Sequence, residues 1–389
     1  MDDRRTQPVV GREEIQRQQQ VFDLLMEVGE LDAGEREARL AEAPTDVAVE
    51  VRSLLDEYDE ESEGEFLPTH RPAGPNLGDG ALIGLDSTWE AGTRIGDYNI
   101  VSTLGTGGMG QVYLAEPRGH GPRVAIKRLA LDLRSLPQLR KRFEIEQQVM
   151  ERLDHPNVGR ILGSGTGPDG GPYLVMEWIE GKRITAYCDH HRLTIAERIG
   201  LFVDLCCGVA HAHQQHLLHR DIKPANVLVT EVDGHPVPKL IDFGIAKDLD
   251  VTGTLGLTGS HAIGTPTYMS PEALDGERKV DTRSDVFSLG VLLHELLVDR
   301  VPWGEDLSSF LAHLNGRHQA ENPSELLAKM PVSVLSDIAA FRGTQGRELI
   351  ATLRGDLDRI VLQALASDVE ERTPSAETLI SQLEATALV

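Results

Sequence analysis

The sequence predicts an α+β protein: a small β-rich lobe, then a larger helical lobe, with a short acidic helical module ahead of both. Three observations predict it. Between Asn99 and Glu177, short runs of β-branched and apolar residues alternate or cluster between Gly and Pro, as strands do. After Gly181, apolar residues recur at helical spacing over long stretches. Before both, residues 11–66 hold 18 acids and 5 bases, a net of -13 out of the chain's -24.

The first unit, residues 13–60, repeats apolar positions at helical spacing: Ile15, Phe22, Leu25, Met26, Leu31, Leu40, Val47, Val51, Leu54, Leu55 and Tyr58. Two or three short helices follow from that, broken near Gly29 and Pro44. Residues 61–96 accumulate Pro68, Pro72, Pro75, Gly74, Gly78, Gly80 and Gly84 without periodicity and read as a flexible linker. The folded body then spans residues 97–388. Asn99 to Thr103, Val112 to Ala115, Val124 to Arg128 and Tyr173 to Glu177 read as strands; Thr194 to Gln215, Arg283 to Leu297 and Leu357 to Ala366 read as helices. The stretch from Glu305 to Leu353 reads as additional helical material.

Charge and composition narrow the function. A net charge of -24 in 389 residues argues against nucleic acid and anionic membranes as partners, since both need a basic face. No run approaches the ~18 apolar residues of a spanning helix, so no membrane span is expected. The polar start, Met1 to Arg12, does not read as a signal peptide, and a cytoplasmic location is the expectation. Cys188, Cys206 and Cys207 lack both a disulfide framework and metal-ligand spacing.

Four clusters carry chemistry. Gly105, Gly107 and Gly110 lie between two predicted strands, where glycines let backbone N–H groups approach a polyphosphate. A dinucleotide site would follow such glycines with a helix, whereas Val112 to Ala115 reads as a strand, so a hairpin flap over nucleotide phosphates fits better. Lys127 ends the apolar run Val124-Ala125-Ile126, and a lysine there needs an anionic partner. The helix after it offers Glu146, which falls with its apolar face, and Glu144 as second choice. His219 to Asn226 (HRDIKPAN) and Leu240 to Gly244 (LIDFG) supply two carboxylates, a lysine and an amide. Phosphoryl transfer asks for that set: a carboxylate to take the hydroxyl proton, a cation against phosphate charge, and oxygens for hard Mg²⁺ ions.

With Gly264-Thr265-Pro266 through Ser270-Pro271-Glu272, these motifs stand in an order that resembles the bacterial Hanks-type (eukaryotic-like) serine/threonine protein kinases over residues 97–388. The resemblance implies the bilobal protein-kinase fold and transfer of the γ-phosphoryl group of ATP, with Mg²⁺, to Ser and Thr hydroxyls of protein substrates, in signalling. It implies Asp221 as catalytic base and Lys223 beside it against the γ-phosphate, with Asn226 and Asp242 as metal ligands. The flap Leu104, Gly105, Thr106, Gly107, Gly108, Met109, Gly110, Gln111 and Val112 would cover the nucleotide, and Lys127 would touch the α/β-phosphates and pair with Glu146. Met176 would stand behind the adenine, with the backbone of Glu177 and Ile179 holding its edge. Lys182 and Arg183 stand where the family often has an acid for the ribose. Lys223 and Thr265 imply preference for a short alcohol.

The resemblance also implies a Glu272–Arg372 pair and an Asp285 that anchors the catalytic loop. Arg220 would meet a phosphate on Thr252, Thr254, Thr258 or Ser260, with Thr258 and Ser260 favoured. A pseudokinase or scaffold is the competing reading, against which Lys127, Asp221, Asn226 and Asp242 are all intact. The acidic module reads as a docking surface, an inhibitory segment or a solvated extension; if it docks on its own kinase, the basic cluster Arg140, Lys141 and Arg142 is the landing site.

Overall fold

The computed structural model describes residues 88–107, 110–129, 147–243, 266–275, 280–303 and 320–386, with isolated positions between 24 and 52. The first lobe is one antiparallel sheet of β1 (Arg94–Ile95), β2 (Tyr98–Gly107), β3 (Gly110–Pro117), β4 (Val124–Leu129), β5 (Ile161–Thr166) and β6 (Pro172–Glu177), in the order β1-β2-β3-β4-β6-β5. Side chains of a strand alternate between faces, and both faces here are buried. Val112, Ala125, Lys127, Leu129, Leu174 and Met176 line a cavity on the inner face. Tyr113, Ala115, Val124, Ile126, Tyr173 and Val175 form a separate apolar core on the outer face with Trp89, Ile95 and Ile100.

That outer core corrects one expectation. The last part of the stretch read as linker belongs to the lobe, because Trp89 is buried and β1 pairs with β2. Gly110 shows why the glycine run ends as it does: its φ is +132°, and a Cβ there would overlap the Arg128 carbonyl.

The second lobe opens with β7 (Lys182–Arg183), which joins β8 (Val227–Val232) and β9 (His235–Leu240) in a small sheet. β8 and β9 turn through Asp233-Gly234, both at positive φ, the preference of a two-residue hairpin. Helix α1 (Ile184–His190) leads to α2 (Ile195–Gln214), which starts on a capping box made by Thr194 and Glu197. A short α3 (Pro271–Asp275) precedes α4 (Thr282–Val298). Every residue of α4 from Ser284 to Val298 is buried, so it serves as the axis of the lobe. Around it stand α5 (Pro323–Lys329), α6 (Val332–Phe341), α7 (Gly346–Leu353), α8 (Asp356–Ala364) and α9 (Ala376–Glu384). Helices α5 to α7 are the additional helical material that the 305–353 stretch predicts.

Two buried arginines finish α4. Arg342 donates to the Leu296 and Leu297 carbonyls at 3.1 and 2.5 Å, and Arg198 donates to the Leu296 carbonyl at 3.2 Å. Cations at the orphan carbonyls of a helix C-terminus oppose the negative end of its dipole. Of the acidic module, Leu24, Leu40, Val47 and Val51 are buried and belong to the same apolar cluster as the helical lobe. Residues 61–87 lie outside the described residues.

Candidate active site

The cleft between the lobes holds a cavity of about 350 Å³. Its roof is Leu104, Gly105, Val112 and Ala125, its back is Met150, Leu174 and Met176, and its floor is Ala225, Leu228 and Ile241. Glu177, Trp178 and Ile179, which follow β6, close one side. An apolar slot edged by the backbone of 177–179 suits a flat heteroaromatic ring. At one end the cavity becomes charged, where Lys127 Nζ stands 2.8 Å from Asp242 Oδ1.

The loop from His219 to Asn226 is fixed by one buried carboxylate. Asp285, in the first turn of α4, accepts the backbone N–H groups of His219 and Arg220 at 2.8 and 2.7 Å, and His213 Nε2 at 2.8 Å. Burial raises the pKa of Asp285, but the bond and charge of His213 and the amide bond outweigh it, and the group is held below its ordinary value. His219 accepts from the Asp221 N–H at Nδ1, at 3.2 Å, so its Nε2 donates to the Ile241 carbonyl at 2.9 Å. Burial lowers the pKa of His219 and keeps it neutral in this role. Arg220 and Asp242, at φ +62° and +64°, are left-handed, a conformation uncommon outside glycine and frequent at functional sites.

Asn226 ties the set together. Its side-chain amide donates to both the backbone carbonyl and Oδ2 of Asp221 at 2.7 Å, and its own carbonyl accepts from Ile241 N at 2.9 Å, one residue before Asp242. Lys223 Nζ stands 3.9 Å from Asp221 Oδ2. The Asp221–Asn226–Lys223 group is thus joined through Ile241 to the segment after β9 that carries Asp242, the partner of Lys127.

Of the residues predicted from sequence, Leu104, Gly105, Val112, Lys127, Glu177, Ile179 and Asp242 line the cavity, and Asp221, Lys223 and Asn226 are tied together in the loop that supplies Ala225 to its floor. Thr106, Gly107 and Gly110 lie in the β2–β3 hairpin. Gln111 is a correction. The alternation of β3 turns its side chain to the outer face, where it accepts from Tyr113 Oη and Arg128. Gly108, Met109, Glu146, Arg140 to Arg142 and the segment with Thr252 to Thr265 lie outside the described residues. Sequence reasoning missed Lys239, whose Nζ is 3.1 Å from Glu177 Oε1, and His213. Lys239 sits three residues before Asp242, but nothing in the sequence pairs it with a residue 62 positions away.

Residues 98–382 match the family described as protein kinase domain. The chain belongs to the protein kinase family. Its relatives within that family are bacterial serine/threonine kinases. It is 33% identical over 297 residues to serine/threonine-protein kinase Pkn1 of Myxococcus xanthus, covering 75% of this chain and 38% of that one. It is likewise 33% identical over 290 residues to PknB of Mycobacterium tuberculosis, covering 74% and 42%. The chain therefore spans about two fifths of the length of the curated relatives it matches. Among solved structures, the PknI kinase domain of Mycobacterium tuberculosis superposes with a TM-score of 0.53 at 25% identity, covering 77% of this chain and 98% of that one. Among the described residues of this protein kinase, no helix is long and apolar enough to cross a membrane.

Proposed function

We propose that this chain is a serine/threonine protein kinase that transfers the γ-phosphoryl group of ATP to hydroxyls of protein substrates. The observation that carries the proposal is the Asp221–Asn226 hydrogen bond beside the Lys127–Asp242 pair, at the charged end of a cavity whose other end is apolar. The adenine would lie in the apolar slot against the backbone of 177–179. Lys127 would meet the α/β-phosphates, for which it already faces a carboxylate. The acceptor hydroxyl would stand at Asp221, whose carboxylate takes the proton as the oxygen bonds to the γ-phosphorus. The bond from that phosphorus to the bridging oxygen breaks, and ADP leaves with the electron pair. Lys223, next to Asp221, would balance charge on the transferred group.

The donor set fits Mg²⁺. A Mg²⁺ ion commonly takes one or two protein carboxylates and completes its shell with phosphate oxygens and water. Asp242 supplies the carboxylate, and Asn226 retains its Oδ1, since only its amide N–H groups are engaged with Asp221. Bound there, the ion would neutralise phosphate charge. The relatives' names support preference for serine and threonine. ATP is a cytoplasmic nucleotide, and we take the cytoplasm as the compartment of action. A contact of the acidic module with its own kinase lobe is part of this reading, supported by the buried Leu40, Val47 and Val51 in the lobe's apolar cluster.

Asp221→Asn tests the reading. General-base contributions reach ~10²–10⁴-fold, so transfer to an added protein should fall by that order while nucleotide binding persists. Wild-type turnover in the variant would refute the assignment of the base.

A further inference from the structure

Trp89 precedes the matched kinase domain by nine positions, yet it is 5% exposed and centres a polar and aromatic network on the outer face of the sheet. Its ring stacks on Tyr113 at 5.3 Å and 25° and meets Tyr173 edge-on at 6.1 Å and 84°. Its backbone N–H donates to Tyr113 Oη at 3.1 Å, and that hydroxyl donates in turn to Gln111 Oε1. The guanidinium of Arg128 lies over the Trp89 ring at 5.3 Å, donates to Gln111 Oε1 at 3.3 Å and pairs with Asp169. Gly167 makes room, since a Cβ there would come within 2.5 Å of the indole.

Arg128 is only 1% exposed, and it adjoins Lys127. A buried guanidinium is costly unless its charge and N–H groups are met. Here an aromatic face meets the guanidinium plane, an amide oxygen meets Nη1 and a carboxylate meets Nη2, and the first of these comes from outside the sheet. The register shows why this bears on the site. Gln111, Arg128 and Tyr173 form one cross-strand row on the outer face, and Val112, Lys127 and Leu174 form the adjacent row on the cavity face. Lys127 lies two residues from the end of β4; β4 pairs with β6 as far as Arg128 and with β3 as far as Leu129, so the clamp on Arg128 stands where the strand loses one of its two neighbours.

We propose that Trp89 is a positioning residue for nucleotide binding: by closing the outer face of the sheet over Arg128, it holds the end of β4 so that Lys127 meets the phosphates. The inference rests on the reading of the cavity as a nucleotide site. Trp89 touches no substrate and acts through Arg128 and the strand.

The test is the affinity of the full chain for Mg-ATP by calorimetry, at a temperature where far-UV circular dichroism shows each variant folded. Trp89→Ala should weaken binding about tenfold, as displacement of a binding group by a fraction of its contact distance does. Trp89→Phe keeps a ring over Arg128 and Tyr113 and should stay within about twofold of wild type, since the indole N–H is not part of the network. Asp169→Asn, in the half-buried β5–β6 turn, should weaken binding in the same direction by a smaller factor. Folded Trp89→Ala with wild-type affinity would overturn the proposal, as would Trp89→Phe binding as weakly as Trp89→Ala. If Trp89→Ala does not fold, Asp169→Asn decides: weakened binding supports the inference and wild-type affinity overturns it. A wild-type chain that binds Mg-ATP but transfers nothing would refute only the catalytic reading, and one that binds no nucleotide would overturn this inference with it.

Discussion

Glu272 and Arg372, 100 positions apart, meet in a buried two-pronged ion pair, with Nη1 2.6 Å from Oε1 and Nη2 2.9 Å from Oε2. Ser284 adds a hydrogen bond to Glu272 at 2.6 Å, and Phe287 carries the guanidinium on its face at 5.0 Å. The pair fixes the first turn of α3 to the connection between α8 and α9. Removing one partner leaves a buried charge unmet, which costs about 3–5 kcal/mol, whereas replacing both by apolar groups costs far less. Glu272→Gln alone should therefore lower stability in urea unfolding much more than the Glu272→Met/Arg372→Met double variant. Equal losses would show the pair is dispensable as a unit.

Acid should destabilise the helical lobe in two steps. His294 is fully buried, its Nδ1–H donates to the Arg300 carbonyl at 2.6 Å, and its Nε2 has no hydrogen-bond partner. Burial pushes its pKa down to about 4 from an ordinary 6.5. The unfolded chain thus takes up a proton near pH 6.5 that the folded chain refuses until about pH 4, so stability is present above 6.5 and lost on descent through that window. For Glu272, burial works against ionisation, but Arg372 and Ser284 outweigh it and hold the pKa at about 2. Its contribution is present above about pH 4.5 and lost as pH falls toward 2. His294→Asn should flatten the first step of a pH–stability curve and leave the second. An unchanged first step would exclude His294 as its source.

Asp285 holds the start of the loop that carries Asp221 and does not line the cavity. Asp285→Ala would strip the His219 and Arg220 N–H groups of their acceptor inside the core, at about 1–3 kcal/mol for each unmet group. The start of the loop from His219 to Asn226 depends on those bonds, whereas the apolar slot of the cavity is built mostly by other elements. The expected outcome is lower kcat and lower stability with Mg-ATP affinity near wild type. A variant whose kcat stays at the wild-type level while stability falls would make Asp285 purely structural.

Much of this was legible because its signals are local. Alternation in 112–115, 124–128 and 173–177 reports strands whose two faces differ, and the glycines at 105 to 110 report a hairpin that the packing of Gly110 against Arg128 requires. The Glu272–Arg372 and Asp285 contacts followed from family resemblance, since no periodicity links residues 65 or 100 positions apart. Trp89 was hidden inside a Pro- and Gly-rich stretch, where composition averages out a single anchoring aromatic. Gln111 was assigned to the nucleotide because it lies within the flap motif, although the two-residue period of β3 sends its side chain to the other face. Arg128, Arg198 and Arg342 carry no local sequence signal for burial, and only the fold reveals the carbonyls, the carboxylates and the indole that meet them.

The acidic module gives the last prediction. Its charge suggests an electrostatic contact through Arg140 to Arg142, which would fade as the Debye length falls from ~10 Å at 0.1 M salt to ~3 Å at 1 M. The described residues point to apolar burial instead: Leu40 is 1% and Val51 0% exposed, and both belong to the large apolar cluster that spans the two lobes. Apolar contacts survive high salt and are strengthened by sulfate. Limited proteolysis of the full chain should therefore find residues 13–60 as protected in 1 M sodium sulfate as in 0.1 M salt. Val51→Asp, which places a charge in that cluster, should expose them at either concentration. A shortened chain for activity comparison should start near Asp86 so that Trp89 is retained, because a start at Ala91 would remove the outer cover of the sheet along with the module. Loss of protection in wild type at high salt, or full protection in Val51→Asp, would count against apolar docking.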